Sequence, residues 1–197
     1  KCDWSSDVCS SDLYLADDDY TTYLQKGVDT LQSFLAVKYA DFTPTQQAEV
    51  NFSGQHALLG EAHLTGSIDL IEKSDKSIIV TDYKTGRPVR DWKGTTEYEK
   101  IKLHHYRQQL MFYKLLIEHS RDYSQYTVDR GVLQFVEPTK TGDIITLDLV
   151  FSEQEITEFT RLIQAVWRRI TTLQLPDVSG YEPTYKGILA FEQDIMA

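Results

Sequence analysis

The most constraining stretch is residues 63–86, HLTGSIDLIEKSDKSIIVTDYKTG. Two runs of β-branched and apolar residues, HLTGSIDLIE and KSIIVTDYKT, flank the polar turn EKSDKS, which predicts a β-hairpin. The second run holds SIIV, a continuous apolar segment of the kind that fills a buried strand, yet it ends in Asp82-Tyr83-Lys84 and a glycine turn. Side chains alternate along a strand, so Asp82 and Lys84 share one face and Tyr83 takes the other. Asp69 sits in the partner strand, so the hairpin brings two carboxylates and an ammonium toward one spot where a core strand ends.

The remaining order follows from periodicity. Tyr20, Tyr23, Leu24, Val28, Leu31 and Leu35 recur at helical spacing behind an acidic start, predicting a helix from Asp17 to about Tyr39. QAEVNF predicts a strand before the hairpin. After the polar stretch GRPVRDWKGTTEYEK, the segment LHHYRQQLMFYKLLIEH is apolar on nearly every side and predicts a buried helix. RGVLQFVE and DIITLDLVF alternate as strands around PTKTGD. FSEQEITEFTRLIQAVWRRITTL then opens with Ser152 and Glu155 as a capping box and sets Ile156, Phe159, Ile163, Val166, Trp167 and Ile170 on one stripe. The order α-βββ-α-ββ-α predicts an α/β fold with a central mixed sheet flanked by helices. The domain is expected over 14–175, followed by an irregular tail over 176–197 in which Pro183 and Gly187 act as breakers.

Asp69 and Asp82 offer hard oxygen ligands for Mg²⁺ or Mn²⁺, and Lys84 offers a charge for a nucleophile or a developing phosphorane, a combination suited to phosphodiester hydrolysis. The same Asp-x-Lys pattern is also what a cross-strand charge pair looks like. From Arg87 to Arg107 the cations Arg87, Arg90, Lys93, Lys100, Lys102 and Arg107 outnumber Asp91, Glu97 and Glu99, which gives a local basic strip in a chain of net charge -10. That strip is either a solvated loop or a track for phosphates. Trp92 within it is a candidate for stacking on an unpaired base. His104 and His105 are adjacent on a helix, diverge, and are not expected to be metal ligands. The overall acidity argues against nonspecific coating of nucleic acid. No apolar run is long enough to span a bilayer, so no membrane partner and a cytoplasmic location are expected.

GSIDL, a hairpin, TDYKTG and a helix bearing QLMFY together resemble the RecB-type branch of the PD-(D/E)XK nuclease superfamily, found at the C-terminal end of UvrD-like helicases. The resemblance implies a restriction-endonuclease-like core and a metal-dependent DNA nuclease acting in repair or recombination beside a helicase motor. It implies metal ligation by Asp69, Asp82 and the main-chain carbonyl of Tyr83, catalysis by Lys84, and a DNA-contacting or bracing role for Gln109 and Tyr113. Arg87, Arg90, Lys93 and Arg107 are the accompanying DNA-binding candidates. A further His or Glu ligand, usual on a helix ahead of the sheet, is not found; the helix over 17–39 resembles the one that follows it and leads to the strand carrying Glu49. Some relatives carry a four-cysteine iron–sulfur cluster, but no cysteine follows Cys9, so none is expected. The alternative is a non-catalytic DNA-binding or scaffolding domain that keeps the fold; an unrelated α/β domain with accidental motifs is the blandest reading.

Cys2 and Cys9 fit neither zinc-knuckle spacing nor a partner pair. Asp3–Leu13, DWSSDVCSSDL, instead matches the translation of a common sequencing-library adapter. Residues 1–13 are therefore expected to be a scar standing where the natural upstream sequence, with its missing ligand, was lost.

Overall fold

A computed structural model describes residues 17–197, and the expected scar lies outside them. Strands β1 (Gln46–Asn51), β4 (Ser67–Ser74), β5 (Ser77–Lys84), β6 (Thr127–Phe135) and β7 (Thr146–Val150) form one sheet in the order β1-β4-β5-β6-β7. Only the β5–β6 neighbours are parallel; the other pairs are antiparallel, so the sheet is mixed. The parallel pair needs a crossover, and helix α2 (Glu97–Glu118) supplies it. Helices α1 (Asp17–Lys38), α3 (Glu153–Thr171) and α4 (Tyr185–Met196) complete the flanks.

The predicted hairpin is β4–β5, closed by a two-residue turn in which Asp75 takes φ 47°. HLTGSIDLIE, expected as one strand, is broken. Its first part belongs to β3 (Ala62–Leu64), which pairs with β2 (Ala57–Leu59) as a separate two-stranded sheet around Gly60 at φ 65°. Gly66 is where the chain passes between the sheets: its carbonyl accepts the Phe52 N–H, and a β-carbon there would rest in ordinary contact with Leu116 and Phe112.

Along β5, Ile78, Val80 and Asp82 point into the core while the intervening residues are half-buried. Leu110, Leu116 and Ile117 of α2 are fully buried in the same cluster as Ile71, Ile78, Val80, Val128, Leu133 and Phe135. The approach of α2 to β6 depends on Gly131, where a β-carbon would stand 2.9 Å from Leu110 Cβ. Helix α2 begins earlier than its apolar run, because Thr96 and Glu99 form a capping box. The Ser152–Glu155 box is present as predicted at the start of α3.

Two expectations change. The stripe of α1 is not a core face: Tyr20, Tyr23, Leu24, Val28, Leu31 and Leu35 are exposed, and Phe34 alone is buried, edge-on to Tyr83. The tail from 176 is not irregular throughout, because α4 forms within it and packs on α2 and α3. Thr184 caps α4 by accepting the Gly187 N–H, and a β-carbon at Gly187 would collide with the Glu182 carbonyl. The supposed breaker is thus the residue that lets the helix start. Gly187→Ala is expected to lower the melting temperature and detach α4, read by thermal unfolding and by faster proteolysis after Lys186; unchanged melting would count against this role.

Candidate active site

Asp82 lies at the C-terminal end of β5 on the core-facing side of the sheet, 2% exposed. Its neighbours come from both sequence-adjacent and distant elements. The last β4–β5 pair is Leu70 with Thr81, so one further step of the same register sets Asp69 opposite Asp82. Beyond the end of that ladder Asp69 Oδ2 accepts the Tyr83 N–H at 2.9 Å. Because the N–H and C=O of a strand residue leave on the same side, the Tyr83 carbonyl faces the β4 side too. Lys84 turns its own carbonyl the other way, accepting the Val136 N–H.

Helix α2 closes the site. Tyr113 donates its hydroxyl to Asp82 Oδ1 at 3.0 Å, and Gln109 Nε2 donates to the Tyr113 hydroxyl at 2.9 Å. Lys84 Nζ donates to Gln109 Oε1 at 2.8 Å and stands 2.6 Å from Asp82 Oδ2. The four side chains therefore make a ring that fixes the amide orientation of Gln109 and the rotamer of Lys84. Lys84 is the charged partner of the buried Oδ2, and no other donor among the described residues reaches that oxygen.

Burial pushes the Asp82 carboxyl above its ordinary value; Lys84 and Tyr113 pull it back only in part, and the nearby Asp69 charge adds to the rise. Burial beside Asp82 also holds the Tyr113 phenol well above its ordinary value, which keeps it a donor. A desolvated carboxylate, a second carboxylate opposite it in the continued register and an adjacent carbonyl make a donor set of hard oxygens suited to Mg²⁺ or Mn²⁺, which need only one or two protein carboxylates. Among the described residues no group of three or more His, Cys, Asp or Glu side chains is arranged to hold a metal.

The basic strip divides. Arg107 is taken by Glu155 at the N-terminus of α3, through Nε at 3.0 Å and a second, shorter contact. Arg90 lies 3.7 Å from Asp143 in the β6–β7 loop. Arg87 and Lys93 are exposed, and the Arg87 charge reaches Glu99. Trp92, expected as a free stacking platform, is anchored: its indole N–H donates to the Asp148 carbonyl at 2.7 Å and its ring packs on the core. His104 meets Glu192 of α4, with Nε2 2.9 Å from its carboxylate.

Sequence reading passed over Tyr106. Its ring lies under Lys84, with Nζ 4.5 Å from the centroid, and Lys102 Nζ is 5.5 Å from the same centroid. The available signal was spacing, since Lys102, Tyr106, Gln109 and Tyr113 follow one another at three or four residues on a single helical face.

A five-stranded mixed sheet flanked by helices, with carboxylates and a lysine at the end of a central strand, is consistent with a restriction-endonuclease-like fold. The chain belongs to the PD-(D/E)XK nuclease superfamily, whose family model matches residues 6–181. No curated protein matches it. Among solved structures it is similar to one described as "Crystal structure of SSO0001", at 20% identity and a TM-score of 0.40, over 79% of this chain and 63% of that one. This chain thus spans less than two thirds of that protein's length. Among the described residues no helix is long and apolar enough to cross a membrane.

Proposed function

We propose that this chain is a divalent-metal-dependent DNA nuclease domain of the RecB type, working with a helicase motor in bacterial, cytoplasmic DNA repair or recombination. The observation that carries the reading is the buried Asp82 carboxylate, paired with Lys84 at 2.6 Å and opposite Asp69 in the continued β4–β5 register, in a chain of a nuclease superfamily. Asp69, Asp82 and the Tyr83 carbonyl would hold Mg²⁺ or Mn²⁺. When bound, that cation would supply Lewis-acid charge to the scissile phosphate.

The chain's own residues do the rest. Lys84 offers its ammonium to the charge that builds on the phosphate oxygens, an interaction worth more in a dry site than in water. Gln109 holds Lys84 in place, and Tyr113 orients Asp82 by donating to the oxygen that Lys84 does not face. Arg87 and Lys93 are left as exposed cations for the strand's backbone, whereas Arg90 and Arg107 already have carboxylate partners.

The test is cleavage of linear single- and double-stranded DNA with Mg²⁺ or Mn²⁺. Cleavage is expected with either ion and should stop on chelation and resume on re-addition. DNA binding with no cleavage under any of these conditions, even after the missing upstream helix is restored, would favour the scaffolding alternative, and no binding at all would refute both.

A further inference from the structure

Most cations of the strip and of α2 are neutralised within the fold. Lys100 pairs with Glu97, Arg107 with Glu155, Lys114 with Glu118 and Arg90 with Asp143. Lys102 differs. It is half-buried and makes no ion pair or hydrogen bond among the described residues; its recorded partner is the face of Tyr106. Its ammonium also stands over the backbone just beyond Lys84, where a β-carbon at Gly86 would be only 3.5 Å away. No side chain at Gly86 covers it.

The ring of Tyr106 therefore carries two ammonium groups, Lys84 on the side of Asp82 and Lys102 toward the glycine turn. Lys84 is already paired with Asp82 at 2.6 Å, whereas Lys102 has no carboxylate among the described residues, so the outer charge is left for an anion. In a chain of net charge -10 such an arrangement selects a specific anion at this point instead of coating a surface.

We infer that Lys102 and Tyr106 form a phosphate-binding subsite at the mouth of the Asp82–Lys84 centre, taking a backbone phosphate of the nucleic-acid strand next to the one that is cleaved. Lys102 makes the contact. Tyr106 is a positioning residue whose ring sets the separation of the two ammonium groups. The assignment rests on the nuclease reading for the identity of its ligand as a strand phosphate.

The experiment uses the whole chain and a labelled mixed-sequence single-stranded oligonucleotide, with binding followed by anisotropy without divalent metal across a salt series, and cleavage followed separately with Mg²⁺. Lys102→Gln is expected to raise Kd about five- to tenfold at low salt and to flatten the slope of log Kd against log salt by about 0.7, the loss of one phosphate contact on a single strand. In cleavage it should raise KM with kcat within about twofold. Tyr106→Leu should raise KM similarly and lower kcat, whereas Tyr106→Phe, which keeps the ring, should restore both. Lys76→Gln, in the turn at the far end of β5, is the charge control and should change neither. If Lys102→Gln matches wild type in Kd and salt slope while wild type cleaves, the subsite is wrong and the nuclease reading stands. If wild type binds without cleaving, even after the missing upstream helix is restored, and Lys102→Gln still weakens binding, the subsite stands and the nuclease reading falls. A wild type that does not bind the oligonucleotide overturns both.

Discussion

Asp82→Asn should abolish cleavage, by about a thousandfold or more, since losing even one preorganised electrostatic contact at a reacting centre costs roughly 10²–10³, while leaving a folded protein. Asparagine keeps the shape and one amide oxygen, which can accept from Tyr113 or face Lys84 but not both, so the Lys84–Gln109–Tyr113 links remain while the charge that would hold a cation is lost. The stability effect has a definite sign. Burial raises the folded-state pKa of Asp82 above its unfolded value. Its ionised form is therefore disfavoured by folding: the penalty is absent below the unfolded pKa, grows as pH rises toward the folded pKa, and is full above it. Asp82→Asn should thus melt no lower than wild type at neutral pH, and any advantage should disappear in acid. The lysine it leaves behind is not stranded, because Lys84 keeps Gln109 Oε1 and the Tyr106 ring. Thermal melts at several pH values beside the cleavage assay check both halves. Retained cleavage would remove Asp82 from the chemistry, and a collapsed melt at neutral pH would make its role structural.

That prediction was reachable from sequence because the site is built on strand alternation and helix spacing, the two periodicities that a sequence displays openly. Alternation along SIIVTDYK sets Asp82 and Lys84 on one face by counting alone; Gln109 and Tyr113 were indicated by the family resemblance, and their four-residue spacing sets both on one helical face. What sequence did not disclose depends on where elements meet. Arg107 looked free, but its partner Glu155 is 48 positions away and already serves the α3 capping box. Trp92 looked exposed in a polar loop, yet β7 offers it the Asp148 carbonyl. The α1 stripe has the spacing of a core face, but the helix touches the sheet chiefly through Phe34, so periodicity specified a helix without specifying what it packs on. Gly187 and Gly66 were visible as glycines; that one starts a helix and the other marks a passage between two sheets is a matter of steric neighbours that composition cannot convey.

Gly131 joins fold and site most directly, and Gly131→Val is expected to damage both. A β-carbon there would stand 2.9 Å from Leu110 Cβ and 3.0 Å from Phe151 Cζ, closer than packed carbons tolerate. The valine also adds two methyl groups in a region where Leu110 is fully buried, so α2 must move away from β6 or side chains must leave their rotamers. Such overpacking costs about 1–3 kcal/mol, several degrees of melting temperature for a domain of this size. Leu110 is the next residue after Gln109, and one turn further lies Tyr113, so a displaced α2 lengthens the 2.8 Å Lys84–Gln109 and 3.0 Å Tyr113–Asp82 contacts together. Cleavage should therefore fall through kcat, even well below the melting temperature. Leu110→Ala alone should also destabilise, by leaving a cavity of about 2–5 kcal/mol. Combined with Gly131→Val it relieves only the 3.1 Å contact with Leu110 Cδ1, because alanine keeps the β-carbon, so the double variant should be more stable than the sum of the two losses requires but should recover kcat only in part. Strict additivity in the melts, or full activity in Gly131→Val, would show that the spacing of α2 from β6 does not set the geometry around Asp82.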